Sequence, residues 1–175
     1  MSNATALLVI DIQLGLFQLP IPMFNAGQLL ANINTLIGRA RANGVPVIFI
    51  QHNGKGDSPM RPDRPGWALH PAIVPREGEP VVVKDQPNAF QGTPLQQLLQ
   101  EMSIQKLVVA GVVSDGCVQA TWQDALQLGY QVTLVADAHS IDEDELEARE
   151  IIEQVNRAIE AAGGQVKPTA QVVFV

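Results

Sequence analysis

The chain has 175 residues, 46% of them apolar and 17% charged, with a net charge of −7 and a pI near 4.8. That size and composition predict one compact domain over 1–175 with a substantial core, and exclude a disordered chain. The acidic balance disfavours nucleic acid or an anionic membrane as partner, and no apolar stretch nears the roughly 20 residues that span a bilayer.

One cysteine, Cys117, cannot form an internal disulfide, which fits a reducing cytoplasm. The opening Met-Ser-Asn-Ala-Thr has no basic segment, so no signal peptide is expected. The run 6–10 is continuously apolar and ends at Asp11, the pattern of a strand buried on both faces. Residues 28–42 carry Leu29, Leu30, Ile33, Leu36, Ile37 and Ala40 at helical spacing, stopped by Asn43-Gly44. Residues 45–50 predict a second strand. Residues 51–79 are rich in Pro, Gly and charge; a loop of that length predicts a functional cover or short helical turns.

A third strand, 81–83, ends at Lys84, and Thr93-Pro94 has the form of an N-cap with Pro at N1, opening a helix through Met102. Residues 106–110 predict a fourth strand, and the segment from Cys117 to about Leu128 a helix ended by Gly129. A fifth strand covers 131–135. Ser140 and Glu143 have capping-box spacing, opening an acidic helix that runs to Gly163-Gly164. A short sixth strand starts near Gln165, and 171–175 forms an extended tail. This alternation predicts a parallel sheet covered by helices on both faces, with no repeat and no second domain.

In such sheets functional residues gather beyond the carboxyl ends of the strands. Asp11, Lys84 and Cys117 follow or end the first, third and fourth strands, so all three are expected at one edge. A thiol at a helix start faces unpaired N–H groups, a setting that lowers a cysteine pKa. Asp11 has the chemistry to take and return a proton, and Lys84 to stabilise thiolate or oxyanion. Each residue also has a plain reading: a packed thiol, a turn-capping carboxylate, a solvated strand end. The Gly111-Val-Val-Ser-Asp-Gly116 stretch predicts a tight turn whose backbone N–H groups could bind an oxyanion, or an ordinary loop.

These residues resemble the isochorismatase-like cysteine hydrolases, relatives of nicotinamidases and N-carbamoylsarcosine amidases. The resemblance starts at Leu8-Val-Ile-Asp11-Ile-Gln13 and passes through Val83-Lys84, Ala89-Phe90 and Thr93. It continues through Gly111-Val-Val-Ser-Asp-Gly-Cys117-Val-Gln-Ala-Thr121, Ala125, Leu128-Gly129-Tyr130 and Val135-Ala-Asp137-Ala138. It implies a three-layer α/β/α Rossmann-like fold with a six-stranded parallel sheet and a catalytic triad of Asp11, Lys84 and Cys117. It also implies a cis peptide between Val112 and Val113, an oxyanion hole from the Val113 and Cys117 amides, and cleavage of a carbon–nitrogen bond in a small amide. Gln13, Phe17, Trp67 and Phe90 fall on segments that the family places around its pocket, and a homo-oligomer is expected. The alternative is a catalytically silent binding or scaffold protein of the same fold.

Departures from relatives narrow the chemistry. Cys117 favours amide-type hydrolysis over the vinyl-ether cleavage of isochorismatase itself. The second strand ends Gln51-His52-Asn53, without the Asp-x-His of nicotinamidases; His52 and His70 lack a matching carboxylate, so neither a catalytic metal nor a cofactor is expected. Gln123 stands where a phosphatase loop needs Arg. A papain-like base role for His139 is set aside, because it is expected in a loop beside a capping Ser140.

Overall fold

The computed structural model describes residues 4–175; the targeting reading of Met1, Ser2 and Asn3 lies outside the described residues. Six parallel strands form one sheet: β1 (Ala4–Ile10), β2 (Val47–His52), β3 (Val81–Lys84), β4 (Ile104–Val112), β5 (Gln131–Ser140) and β6 (Gln165–Lys167). Their order across the sheet is β3-β2-β1-β4-β5-β6. The four helices are α1 (Ala26–Ala42), α2 (Leu95–Glu101), α3 (Gln119–Gln127) and α4 (Glu145–Ala161). This is the three-layer α/β/α architecture.

Strand alternation splits the core in two. Leu7 and Val9 of β1 face α1, packing with Leu29, Ile33, Leu36 and Ile37. Ala6, Leu8 and Ile10 face the opposite layer, with Leu95, Leu99, Trp122 and Ile159 from α2, α3 and α4. Trp122 is buried in this core. Among the described residues no helix is long and apolar enough to cross a membrane.

Three local expectations are corrected. The α4 N-cap is Asp144, whose side chain accepts from the Leu146 and Glu147 amides. Ser140 instead ends β5 and donates its hydroxyl to the Phe24 carbonyl (2.7 Å). α2 starts at Leu95, with Thr93 Oγ1 accepting from its amide at 3.3 Å.

The third correction concerns β5, which runs five residues beyond 135. Its register on β4 jumps from Val109↔Leu134 to Gly111↔His139, so β5 carries extra residues against β4. The irregularity returns His139 and Ser140 to pairing beside Gly111 and Val112. His139 is therefore a buried strand residue, not a loop residue.

Gly111 lies where the backbone of β4 comes close to that of β1. Its φ is +137°, and a Cβ there would collide with the Ile10 carbonyl oxygen and lie 2.7 Å from the Ile10 nitrogen. Gly111→Ala is expected to cost about 3 kcal/mol or more, because backbone on a central strand pair cannot yield cheaply. Urea unfolding checks this, and an unchanged midpoint contradicts it.

Candidate active site

In the strand order above, β1 connects to one side of the sheet and β4 to the other, opening a crevice between their carboxyl ends. Asp11 and Cys117 flank that crevice. Asp11 leaves β1 at φ +52°, its amide held by the Ile50 carbonyl (3.0 Å). β4 passes through a cis Val112–Val113 peptide into a π-type turn, Ser114–Val118, that carries Cys117 ahead of α3. Lys84, the last residue of β3, reaches across the end of β2 on its long stem.

The three side chains meet. Lys84 Nζ is 3.0 Å from Asp11 Oδ2 and donates to Cys117 Sγ at 3.1 Å. It also contacts His52 Nδ1 (3.0 Å) and donates to the Gln86 carbonyl (3.1 Å). Lys84 is 0% exposed and Asp11 1%, so this ion pair is fully withdrawn from solvent. Such a pair persists only when its remaining hydrogen-bonding capacity is met. Lys84 shares its three N–H groups among four neighbours, whereas Asp11 Oδ1 is buried and has no hydrogen-bond partner among the described residues.

Burial pushes the Asp11 carboxyl above its ordinary range, opposed first by the Lys84 charge and then by the Cys117 thiol. The thiol itself is pushed up to about 12, by burial first and by the Asp11 charge second, with Lys84 acting the other way. The expected lowering at a helix start is thus overturned, because desolvation and a neighbouring carboxylate outweigh backbone N–H groups. The resting site holds a protonated thiol beside a carboxylate of raised basicity, and the thiol proton is the group that can serve Asp11 Oδ1.

A consequence is visible without substrate. Alkylation of Cys117 by iodoacetamide is expected to climb steadily between about pH 6 and pH 9, without a plateau, because thiolate grows about tenfold per unit below the thiol pKa. A plateau in rate below about pH 8 would contradict it.

Gln13 is not free for substrate. The chain turns out of β1 at Asp11, and the buried Gln13 carboxamide donates to the His52 and Trp67 carbonyls (2.9 Å each) while accepting from the His52 amide (2.8 Å). It braces the end of β2 against the 51–79 loop, which contains a short 3₁₀ turn, Pro65–Trp67. Phe90 is likewise a core residue, stacked on Tyr130 with centroids 5.9 Å apart. Trp67 is half-buried, its Nε1 donating to Asn53 Oδ1 (2.9 Å), and Phe17 meets His70 edge-on at 4.8 Å.

His52 is the site residue that the sequence pattern missed. Asp11, His52 and Cys117 each place a donor atom within 4.8 Å of the others, so a carboxylate does accompany His52, while His70 lies apart against Phe17. The Lys84 ammonium stands 3.0–3.1 Å from one atom of each, and already supplies the positive charge that this donor set attracts. His139 was also undervalued: its Nδ1 is 2.8 Å from Ser114 Oγ in the cysteine turn, and its Nε2 is 2.9 Å from Asn156 Oδ1. Burial lowers His139 to about 4, so it acts there as a neutral tether. Its signal lay in the long β5, which the apolar pattern truncates. A cavity of about 430 Å³ lined by Phe24, Gln28, Asp137, His139, Arg149 and Asn156 includes none of Asp11, Lys84 and Cys117. The buried charge cluster, not cavity volume, marks the site.

Fold and site together define an α/β/α protein with an aspartate–lysine–cysteine cluster at the switch point of a parallel sheet. The isochorismatase domain model matches residues 5–154, and the chain belongs to the isochorismatase family. An isochorismatase structure from Pseudomonas putida KT2440 is 32% identical, with a TM-score of 0.87 over 98% of this chain and 91% of that one. Streptothricin hydrolase from Streptomyces noursei is 38% identical over 135 residues, covering 77% of this chain and 54% of the relative. The chain thus spans about half the length of that hydrolase. Ureidoacrylate amidohydrolase from Pseudomonas syringae pv. syringae is 29% identical, over 77% of this chain and 69% of its own length.

Proposed function

We propose that this protein hydrolyses a carbon–nitrogen bond of a small amide-type molecule, with Cys117 as nucleophile. The observation that carries this reading is the buried Lys84 ammonium bridging Asp11 and Cys117 at 3.0 and 3.1 Å. A protonated thiol needs a base in contact with it, and Asp11 is a carboxylate made more basic by burial. The relatives named as a streptothricin hydrolase and a ureidoacrylate amidohydrolase support the same bond class.

In this reading Asp11 takes the thiol proton as sulfur attacks the carbonyl carbon. The oxyanion is held by the Val113 and Cys117 amides, with the Lys84 charge nearby. The carbon–nitrogen bond breaks, the nitrogen leaves with the proton from Asp11, and an acyl thioester remains on Cys117. Water then gives a proton to Asp11 and attacks the thioester. Expulsion of sulfur, which recovers that proton, releases the carboxylic acid. Phe17 and Trp67 provide apolar walls for a small substrate, and the enzyme works in the cytoplasm as a homo-oligomer.

The test is a panel of linear and cyclic amides and ureido compounds, followed by ammonia or amine release and by mass spectrometry of Cys117. Release together with an acyl adduct on Cys117 supports the reading. Neither release nor adduct across the panel rejects it in favour of a silent binding protein of this fold.

A further inference from the structure

His52 is held more firmly than a half-buried histidine at a strand end requires. Its backbone N–H and C=O are both bonded to the Gln13 carboxamide, at 2.8 and 2.9 Å. In the sheet it is the register partner of Lys84, which brings the two side chains together over the ends of β2 and β3. Its Nδ1 then lies 3.0 Å from Lys84 Nζ.

That contact decides the tautomer. An ammonium has three donors and no acceptor, so the ring nitrogen facing it must carry the lone pair. The ring proton of the neutral imidazole is therefore on Nε2. Among the described residues Nε2 makes no hydrogen bond, and it is not buried. The open donor therefore sits on a ring that has one of its nitrogens within 4.8 Å of both the Asp11 carboxylate and the Cys117 sulfur.

We propose that His52 is a substrate-recognition residue whose Nε2–H donates to an acceptor oxygen carried next to the scissile carbonyl, as in an imide, ureido or carboxylate-bearing amide. The assignment rests on the proposed hydrolysis and adds which face of the substrate the site reads. It also selects by sign of hydrogen bonding, since a substrate group that can only donate finds no partner at Nε2. Burial and the Lys84 charge hold the ring at about 4, so this donor stays neutral and does not titrate across the physiological range.

Two variants separate recognition from support of Lys84. In His52→Asn the short amide can still accept from Lys84 but no longer reaches the Nε2 position. In His52→Gln the longer amide places an N–H near Nε2 while giving up the Nδ1 contact. With an amide that the native enzyme turns over, His52→Asn is expected to raise KM about tenfold or more with kcat little changed, and His52→Gln to recover most of that loss. The KM ratio between native and Asn variant is expected to stay flat from about pH 5.5 to pH 8. The reverse order, with Asn tolerated and Gln impaired in kcat, assigns His52 to holding Lys84 and overturns the proposal.

Two readouts need no turnover, and so separate failure here from failure of the hydrolase reading. Imidazole nitrogen NMR of the native protein is expected to show protonated Nε2, and protonated Nδ1 overturns the proposal. The Cys117 labelling ratio of iodoacetamide, which carries a carbonyl acceptor, to iodoethane, which does not, is expected to fall several-fold in His52→Asn and to return in His52→Gln. An unchanged ratio in His52→Asn overturns it.

Discussion

Cys117→Ala is expected to abolish turnover, lowering kcat by at least about 10⁴-fold, while the protein remains folded. Removal of a nucleophile leaves only the binding and oxyanion contributions, which act weakly without a covalent step. Folding survives because Lys84 keeps Asp11 Oδ2, His52 Nδ1 and the Gln86 carbonyl after losing one sulfur acceptor. Circular dichroism and thermal unfolding of the variant provide the control, with a stability change of no more than about 2 kcal/mol expected. Wild-type turnover by purified Cys117→Ala would remove the thioester mechanism altogether. Cys117→Ser is expected to fail almost as badly, since a buried hydroxyl is harder to ionise than the thiol it replaces.

Lys84→Met has the second large effect, and it acts on folding as well as chemistry. The substitution keeps the buried stem but leaves Asp11 without its counterion in a site that is 1% exposed. Breaking a buried pair from one side costs about 3–5 kcal/mol, far more than loss of an exposed one. The sign of the pH dependence follows from Asp11. Burial already raises its carboxyl, and loss of the Lys84 charge removes the main opposing influence, so the folded variant binds a proton that the unfolded chain releases. The stability gap to the native protein is therefore expected to narrow as pH falls through the raised titration of the variant's Asp11 towards the ordinary carboxylate range, where that carboxyl is already neutral in the folded protein. Urea midpoints across that range check it, and a gap that widens in acid would contradict the assignment. Activity falls at every pH, because the thiol then lacks the one cation that favours its ionised form.

These two effects come from residues that were legible in the chain because each sits at a strand end. Apolar runs of strand length, broken at Asp11, Lys84 and the turn before Cys117, fix which residues emerge at the carboxyl edge of a parallel sheet. Alternation with helical periods supplies the two covering layers. Gly111 and Gly116 mark the turn in advance. Periodicity fails where pairing overrides it: β5 continues through polar residues to Ser140 because β4 offers it backbone partners, and His139 enters the interior with it.

Apolar and helical periods along the chain suffice for the layered α/β architecture, the strand ends that carry Asp11, Lys84 and Cys117, and the family resemblance those residues support. How those residues behave depends on the packing around them. The thiol is high, not low, because desolvation depends on what packs around sulfur rather than on which residues precede it. Gln13 braces β2 rather than lining a pocket because the chain turns at Asp11 and carries its carboxamide onto the His52 backbone. His52 joins Lys84 because β2 and β3 pair in one particular register, a non-local choice made when the sheet assembles. Local patterns are set by neighbours in the chain, whereas charge, proton position and contact are set by neighbours in space.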